Sequence, residues 1–222
     1  MNPSKTLSVD VVSDVVCPWC FVGKRHLEAA LRALPSELAD ANIVVRWHPF
    51  ELNPDLPREG VDRAGYLEAK FGGAASAADR YERVREAGVR AGIEFRFERI
   101  ARQANTRDAH RLVAWAQESG ADASPLVEAL FRAYFIDGRF VGDRDELASI
   151  AGEAGLDREA ARVHLASDAG IAEVVAAERH AGQLGISGVP FFIFNRKLAV
   201  SGAEPASVLT EAMVQAAKAN AD

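Results

Sequence analysis

Strand-type patterning lies mainly at the two ends of this chain, and that distribution restricts the fold more than any other property of the sequence. Near the start, Leu7-Ser8-Val9-Asp10-Val11 alternates apolar and polar side chains, as a half-buried strand does, and the pattern over residues 7 to 13 stops at Asp14. Pro18 then opens a helix whose apolar residues Phe21, Leu27, Ala30, Leu31 and Leu34 recur at helical spacing until Pro35. Residues 43 to 48, Ile-Val-Val-Arg-Trp-His, form a second strand rich in β-branched and aromatic side chains and closed by Pro49. Strand, helix and strand in that order predict two parallel neighbours joined by a right-handed crossover.

From about Arg63 to His164 the period is helical, with one extended piece at Ile93-Glu94-Phe95-Arg96-Phe97. Asn105 is placed to cap a helix bearing Ala109, Leu112, Val113 and Ala116, and Ser124-Pro125 opens another. That second helix presents Leu126, Val127, Leu130, Phe131, Tyr134 and Phe135 on one face. Asp143 and Glu146 have capping-box spacing, and Gly155 ends the helix they begin. A helix at about 168 to 184 stops at Gly185; a hairpin turning at Asn195-Arg196 and a final helix from about Pro205 to Ala219 complete the chain. These elements predict an α/β domain of β-α-β … α-β-β-α order from residues 1–62 and 165–222, with residues 63–164 as an inserted helical subdomain.

At 222 residues, 49% hydrophobic and 26% charged, the chain can bury a core without cross-links. A net charge of -6 gives no general attraction to phosphate backbones, so no nucleic-acid partner is expected. No stretch approaches the roughly 20 apolar residues of a membrane span. The N-terminal residues also lack the apolar run of about 7–15 residues that marks a signal peptide. The expectation is therefore a cytoplasmic protein with no membrane role.

Both cysteines fall in Cys17-Pro18-Trp19-Cys20, at the predicted junction of strand and helix. Thiols three residues apart at a helix start lie about one turn apart, close enough to join. Cys17 takes the N-cap position, where its sulfur could accept from the amides of Trp19 and Cys20, and the helix dipole favours a thiolate there. Cys17 is thus the candidate nucleophile and Cys20 the resolving thiol. A zinc site would need further ligands, and His26, His48, His110, His164 and His180 have no paired zinc spacing, so no metal is expected. Two inert buried thiols are the plainer alternative.

Several motifs occur together: Ser13-Asp14-Val15-Val16-Cys17-Pro18-Trp19-Cys20-Phe21-Val22-Gly23, Glu51-Leu52-Asn53-Pro54, Asn105-Thr106 with Ala109-His110-Arg111-Leu112, Leu130-Phe131-Arg132-Ala133-Tyr134-Phe135, Gly185-Ile186-Ser187-Gly188-Val189-Pro190 and Val200-Ser201-Gly202-Ala203. In this order, across nearly the whole chain, they resemble the FrnE-like branch of the DsbA family. The resemblance implies a thioredoxin-like fold with a helical insertion and exchange with protein or peptide thiols and disulfides. It implies no resident cofactor, with glutathione as a candidate co-substrate. It also makes Pro190 a cis-proline facing the active site, with Val189 offering backbone hydrogen bonds to a bound peptide or glutathione. Taken alone, Pro190 reads as a trans proline at a strand start.

Trp19 is a candidate contact surface, and Asp14 a candidate proton acceptor for Cys20, or simply a turn residue. Asn53, Asn105 and His110 are family-associated positions that serve equally well as caps or packed polar residues. Thioredoxins usually carry a buried acid where this chain has Val11, so their usual proton route does not carry over directly to this chain. Two other functions compete. Related glutathione-dependent 2-hydroxychromene-2-carboxylate isomerases and kappa-class transferases commonly have serine where Cys17 stands, and a redox-switched binding or chaperone-like module would use the same pair. The residues set neither the direction of exchange nor the oligomeric state.

Overall fold

A computed structural model describes residues 6–219. Met1 to Lys5, with the expectation that they form no leader, lie outside the described residues.

β1 (Thr6–Ser13) is the strand around which the sheet is organised. It pairs in parallel with β2 (Asn42–Pro49) and antiparallel with β5 (Phe191–Phe194), and β6 (Leu198–Ser201) completes the order β2-β1-β5-β6. Val9 therefore sits between Val45 and Phe194, fully buried, as its place in the apolar alternation predicts. Pro49, lacking an N–H, is tolerated because β2 is an edge strand. The β5–β6 turn has both central residues in the left-handed region, Asn195 at φ 50° and Arg196 at φ 56°, matching the twist of the flanking strands. The Asn195 side chain accepts from Ser8 N (2.9 Å) and donates to the Ala216 carbonyl (3.1 Å), tying the hairpin to β1 and to α9 (Ala206–Lys218).

α1 (Pro18–Arg32) makes the crossover from β1 to β2 and packs against α9. Between β2 and β5 the chain forms β3 (Val61–Asp62), α2 (Arg63–Phe71), α3 (Ala74–Arg90), β4 (Arg102–Gln103), α4 (Arg107–Glu118) and α5 (Ser124–Arg132). A π turn at Ala133–Asp137, α6 (Arg144–Glu153), α7 (Arg158–Ala166) and α8 (Ile171–Gln183) follow. No described helix is long and apolar enough to cross a membrane.

The extended piece at 93–97 is not a strand. Ile93, Phe95 and Phe97 are buried, but their alternation comes from aromatic docking rather than sheet pairing. Phe95 stacks on Phe97 (4.8 Å between centroids) and meets Phe21 edge-on (5.9 Å), while Phe21 stacks on Phe131 (5.0 Å). Phe21 thereby anchors α1 in the helical block, beside the ion pairs of Lys24 and Arg25 with Glu128 on α5. The Asp143–Glu146 capping box is half formed: Asp143 accepts from Glu146 N, but the Glu146 carboxylate binds Arg139 instead of turning back. The paired β3 and β4, two residues each, are too short to leave an alternation in the sequence.

Candidate active site

Cys17 has extended backbone angles (φ -94°, ψ 112°), which make it the N-cap of α1. The turn that delivers it is closed by its own N–H donating to the Asp14 carbonyl (3.0 Å). Its sulfur does not accept from the helix amides, contrary to the capping expectation. The Cys20 N–H is taken by the Cys17 carbonyl (3.0 Å), and the thiol points instead across the site to the Val189 carbonyl, 3.7 Å away. Proximity to the positive end of the helix remains; the direct bond does not form.

Cys20 is 1% exposed, and both thiols are free. Burial pushes the Cys20 thiol well above its ordinary pKa, and the Cys17 sulfur beside it adds to the effect; the Ser13 hydroxyl and the Asp14 backbone act against it. Trp19, 40% exposed, stands between the cysteines at the rim.

Asp14 is fully buried, and its carboxylate accepts from Leu52 N (2.8 Å) and Val16 N (3.4 Å), bracing the turn before Cys17 against the segment after β2. His110, on α4, brings Nε2 to 3.4 Å from the same carboxylate, at ion-pair distance but off the line of a hydrogen bond. Burial alone would depress the His110 pKa, but Asp14, Glu51 and Glu178 outweigh it and raise it. Ser13 Oγ and His110 Nε2 have no aligned hydrogen bond, and both residues line one cavity of about 20 Å³, room for a single water.

The sequence reading did not single out Glu51. Its side chain is buried, accepts from Arg107 Nε (2.8 Å), and has its pKa pushed up to about 7 by burial and the nearby Glu178 carboxylate. Nothing in the local pattern marks it, because its neighbours come from α4 and α8.

The Val189–Pro190 bond is cis, and Pro190 packs against the position of Gly23 on α1. Asn53 accepts from the Tyr66 hydroxyl (2.6 Å) and lines, with Cys17, Trp19 and Tyr81, a groove of about 370 Å³. Asn105 does not line this groove. It donates to the Leu56 carbonyl (2.8 Å) and accepts from Arg107 N (3.0 Å), so it organises the start of α4 from one residue before the actual cap, Thr106.

A sheet of this order, with two cysteines opening its first crossover helix and a cis-proline opposite, defines the thioredoxin fold in dithiol form. The chain belongs to the family of DSBA-like thioredoxin domains, whose model matches residues 8–214. A solved structure described as a probable DsbA oxidoreductase, SCO1869 from Streptomyces coelicolor, is 38% identical. The match covers 95% of this chain and 89% of that one, with a TM-score of 0.82. The uncharacterized protein YwbO of Bacillus subtilis (strain 168) is 30% identical over 154 residues, 68% of each chain. A 2-hydroxychromene-2-carboxylate isomerase shares the fold at 17% identity and a TM-score of 0.69, over 97% of this chain and 98% of that one.

Proposed function

We propose that the protein is a thiol–disulfide oxidoreductase in which Cys17 attacks and Cys20 resolves. The observation that carries this reading is the unequal setting of the two sulfurs: Cys17 lines the groove, whereas Cys20 is enclosed behind it with its thiol held protonated. The Cys17 thiolate attacks one sulfur of a substrate disulfide, forming a Cys17–substrate disulfide and releasing the other sulfur as a thiolate. The Cys20 sulfur, once deprotonated, attacks Cys17, closes the Cys17–Cys20 bond and releases the second product thiol. The two protons lost by the enzyme end on the two product thiols. Run backwards, the same steps oxidise a dithiol, and the reduction potential decides the direction.

Trp19, Val189 and Pro190 surround the reacting sulfur and form the binding surface for peptide or small-molecule thiols, with glutathione as a candidate co-substrate. Asp14 and His110 brace the turn and α4 beneath the pair, Asn53 borders the groove, and Asn105 holds the start of α4. A second enzyme thiol at Cys20 favours exchange over glutathione-dependent isomerisation, which needs no resolving cysteine. The test is stoichiometric: reduced protein should convert one equivalent of a peptide disulfide to two thiols while losing both of its own. Free cysteines that persist after incubation with excess disulfide would refute the proposal.

A further inference from the structure

The groove that opens on Cys17 is cationic in a chain whose net charge is -6. Arg63, Lys70, Arg80 and Arg83 line it, and no aspartate or glutamate does. Arg63 is 5% exposed, yet its guanidinium is held by neutral oxygens alone: the Gln103 amide, the Tyr134 hydroxyl (2.9 Å) and the Tyr81 hydroxyl (2.6 Å). Lys70 binds the Tyr66 hydroxyl (2.6 Å) and Asn53 Oδ1 (3.4 Å), and the Arg80 guanidinium lies over the Phe71 ring at 5.3 Å. Among the described residues no carboxylate forms an ion pair with any of the four. Elsewhere the pattern is the reverse, with Arg107, Arg111, Arg139 and Arg144 each paired to an acid.

A buried cation without a counter-charge is destabilising, and a cluster of like charges in one concavity adds repulsion. Both terms are relieved when an anion enters. We propose that this site selects anionic substrates: disulfides whose flanking carboxylates lie over Arg63, Lys70, Arg80 and Arg83 while one sulfur reaches Cys17. The proposal rests on the exchange reading and adds its substrate class. A groove of about 370 Å³ takes a ligand the size of a short peptide. Glutathione disulfide and a cysteine flanked by acidic residues in a peptide share the required chemistry.

The experiment compares the single-turnover second-order rate constants with which the full-length reduced protein reacts with three matched peptide disulfides, flanked by glutamate, glutamine or lysine, and with glutathione disulfide. The glutamate peptide should exceed the glutamine peptide on the order of tenfold at low ionic strength, with lysine below both and the differences shrinking as salt is added. Arg80 and Arg83 are exposed, so the double variant Arg80→Glu, Arg83→Glu should fold and should lose or invert the preference. Salt-sensitive turnover of glutathione disulfide assigns the site to the small ligand, and such turnover of the glutamate peptide alone assigns it to peptides. Equal rate constants for the three peptides overturn the inference and leave exchange standing. If no disulfide turns over, exchange fails, and binding of the S-methylated peptides, read by tryptophan fluorescence with Trp19 at the rim, decides the inference separately. Tighter binding of the glutamate form upholds it, and equal binding overturns it.

Discussion

The Cys17 sulfur faces the Val189 carbonyl oxygen at 3.7 Å, joining the start of α1 to a loop 172 residues later in the chain. A carbonyl accepts from a thiol but offers nothing to a thiolate, so this contact is one a thiol makes. The arrangement depends on how closely the loop can approach the helix.

Gly23 sets that approach. A Cβ there would lie 2.9 Å from Pro190 Cγ and 3.1 Å from Phe192 Cζ, against a rigid ring and a buried aromatic side chain. Alanine ordinarily strengthens a helix by about 1 kcal/mol over glycine, but overpacking here should outweigh that gain and leave Gly23→Ala destabilised by about 1–2 kcal/mol. Disulfide exchange should fall with the displaced loop. Denaturant unfolding and turnover check both, and a variant more stable than wild type would show that the loop adapts freely.

The acids and the histidine under the site predict a pH dependence of stability. Glu51 rises from 4.5 to about 7 on folding, and His110 also titrates above its ordinary 6.5, so the native state holds protons that the unfolded chain has released. Their contribution is complete below the unfolded values and declines as pH climbs through the folded ones. For Glu51 the decline spans roughly pH 4.5 to 7 and amounts to about 3 kcal/mol. Glu51→Gln keeps an acceptor for Arg107 and should flatten the stability profile over that interval. Urea unfolding at a series of pH values tests it, and an unchanged slope would remove Glu51 as the source.

Arg111, with no exposed surface, neighbours His110 on α4 and holds the end of α7. Its guanidinium donates to the carbonyls of Ala169 (2.7 Å), Ser167 (2.7 Å) and His164 (3.1 Å) and pairs with Asp108. Arg111→Ala should cost about 2–3 kcal/mol, because it leaves three carbonyls without their donor and empties a buried site, while Arg144 and Arg58 still hold Asp108. Calorimetric melting would reveal the loss; a loss of under about 1 kcal/mol would mean that the neighbours repack.

Features set by local chemistry were legible in the sequence: the β-α-β order, the Asn195-Arg196 turn, and the place of Cys17 before its helix. Cys17 and Cys20 stood out because their spacing carries the chemistry within one helical turn. Glu51, Arg63 and Ser13 did not, since each acquires its meaning from residues on other elements. The segment Ile93–Phe97 is extended without joining a sheet: alternation reports which side chains are buried, and aromatic docking onto Phe21 and Phe135 buries the same ones as a strand would. The sulfur cap failed on a detail of the turn, where the Cys17 carbonyl reaches the Cys20 amide first.

Trapping the intermediate reads the division of labour between the two thiols. Cys17→Ser, Cys20→Ser and wild type are each incubated with a peptide disulfide and analysed intact by non-reducing mass spectrometry. Cys20→Ser should accumulate a covalent peptide adduct at Cys17, Cys17→Ser should form none, and wild type should pass to the internal disulfide with no lasting adduct. An adduct on Cys20 in the Cys17→Ser protein, or equal behaviour of the two variants, would contradict the account.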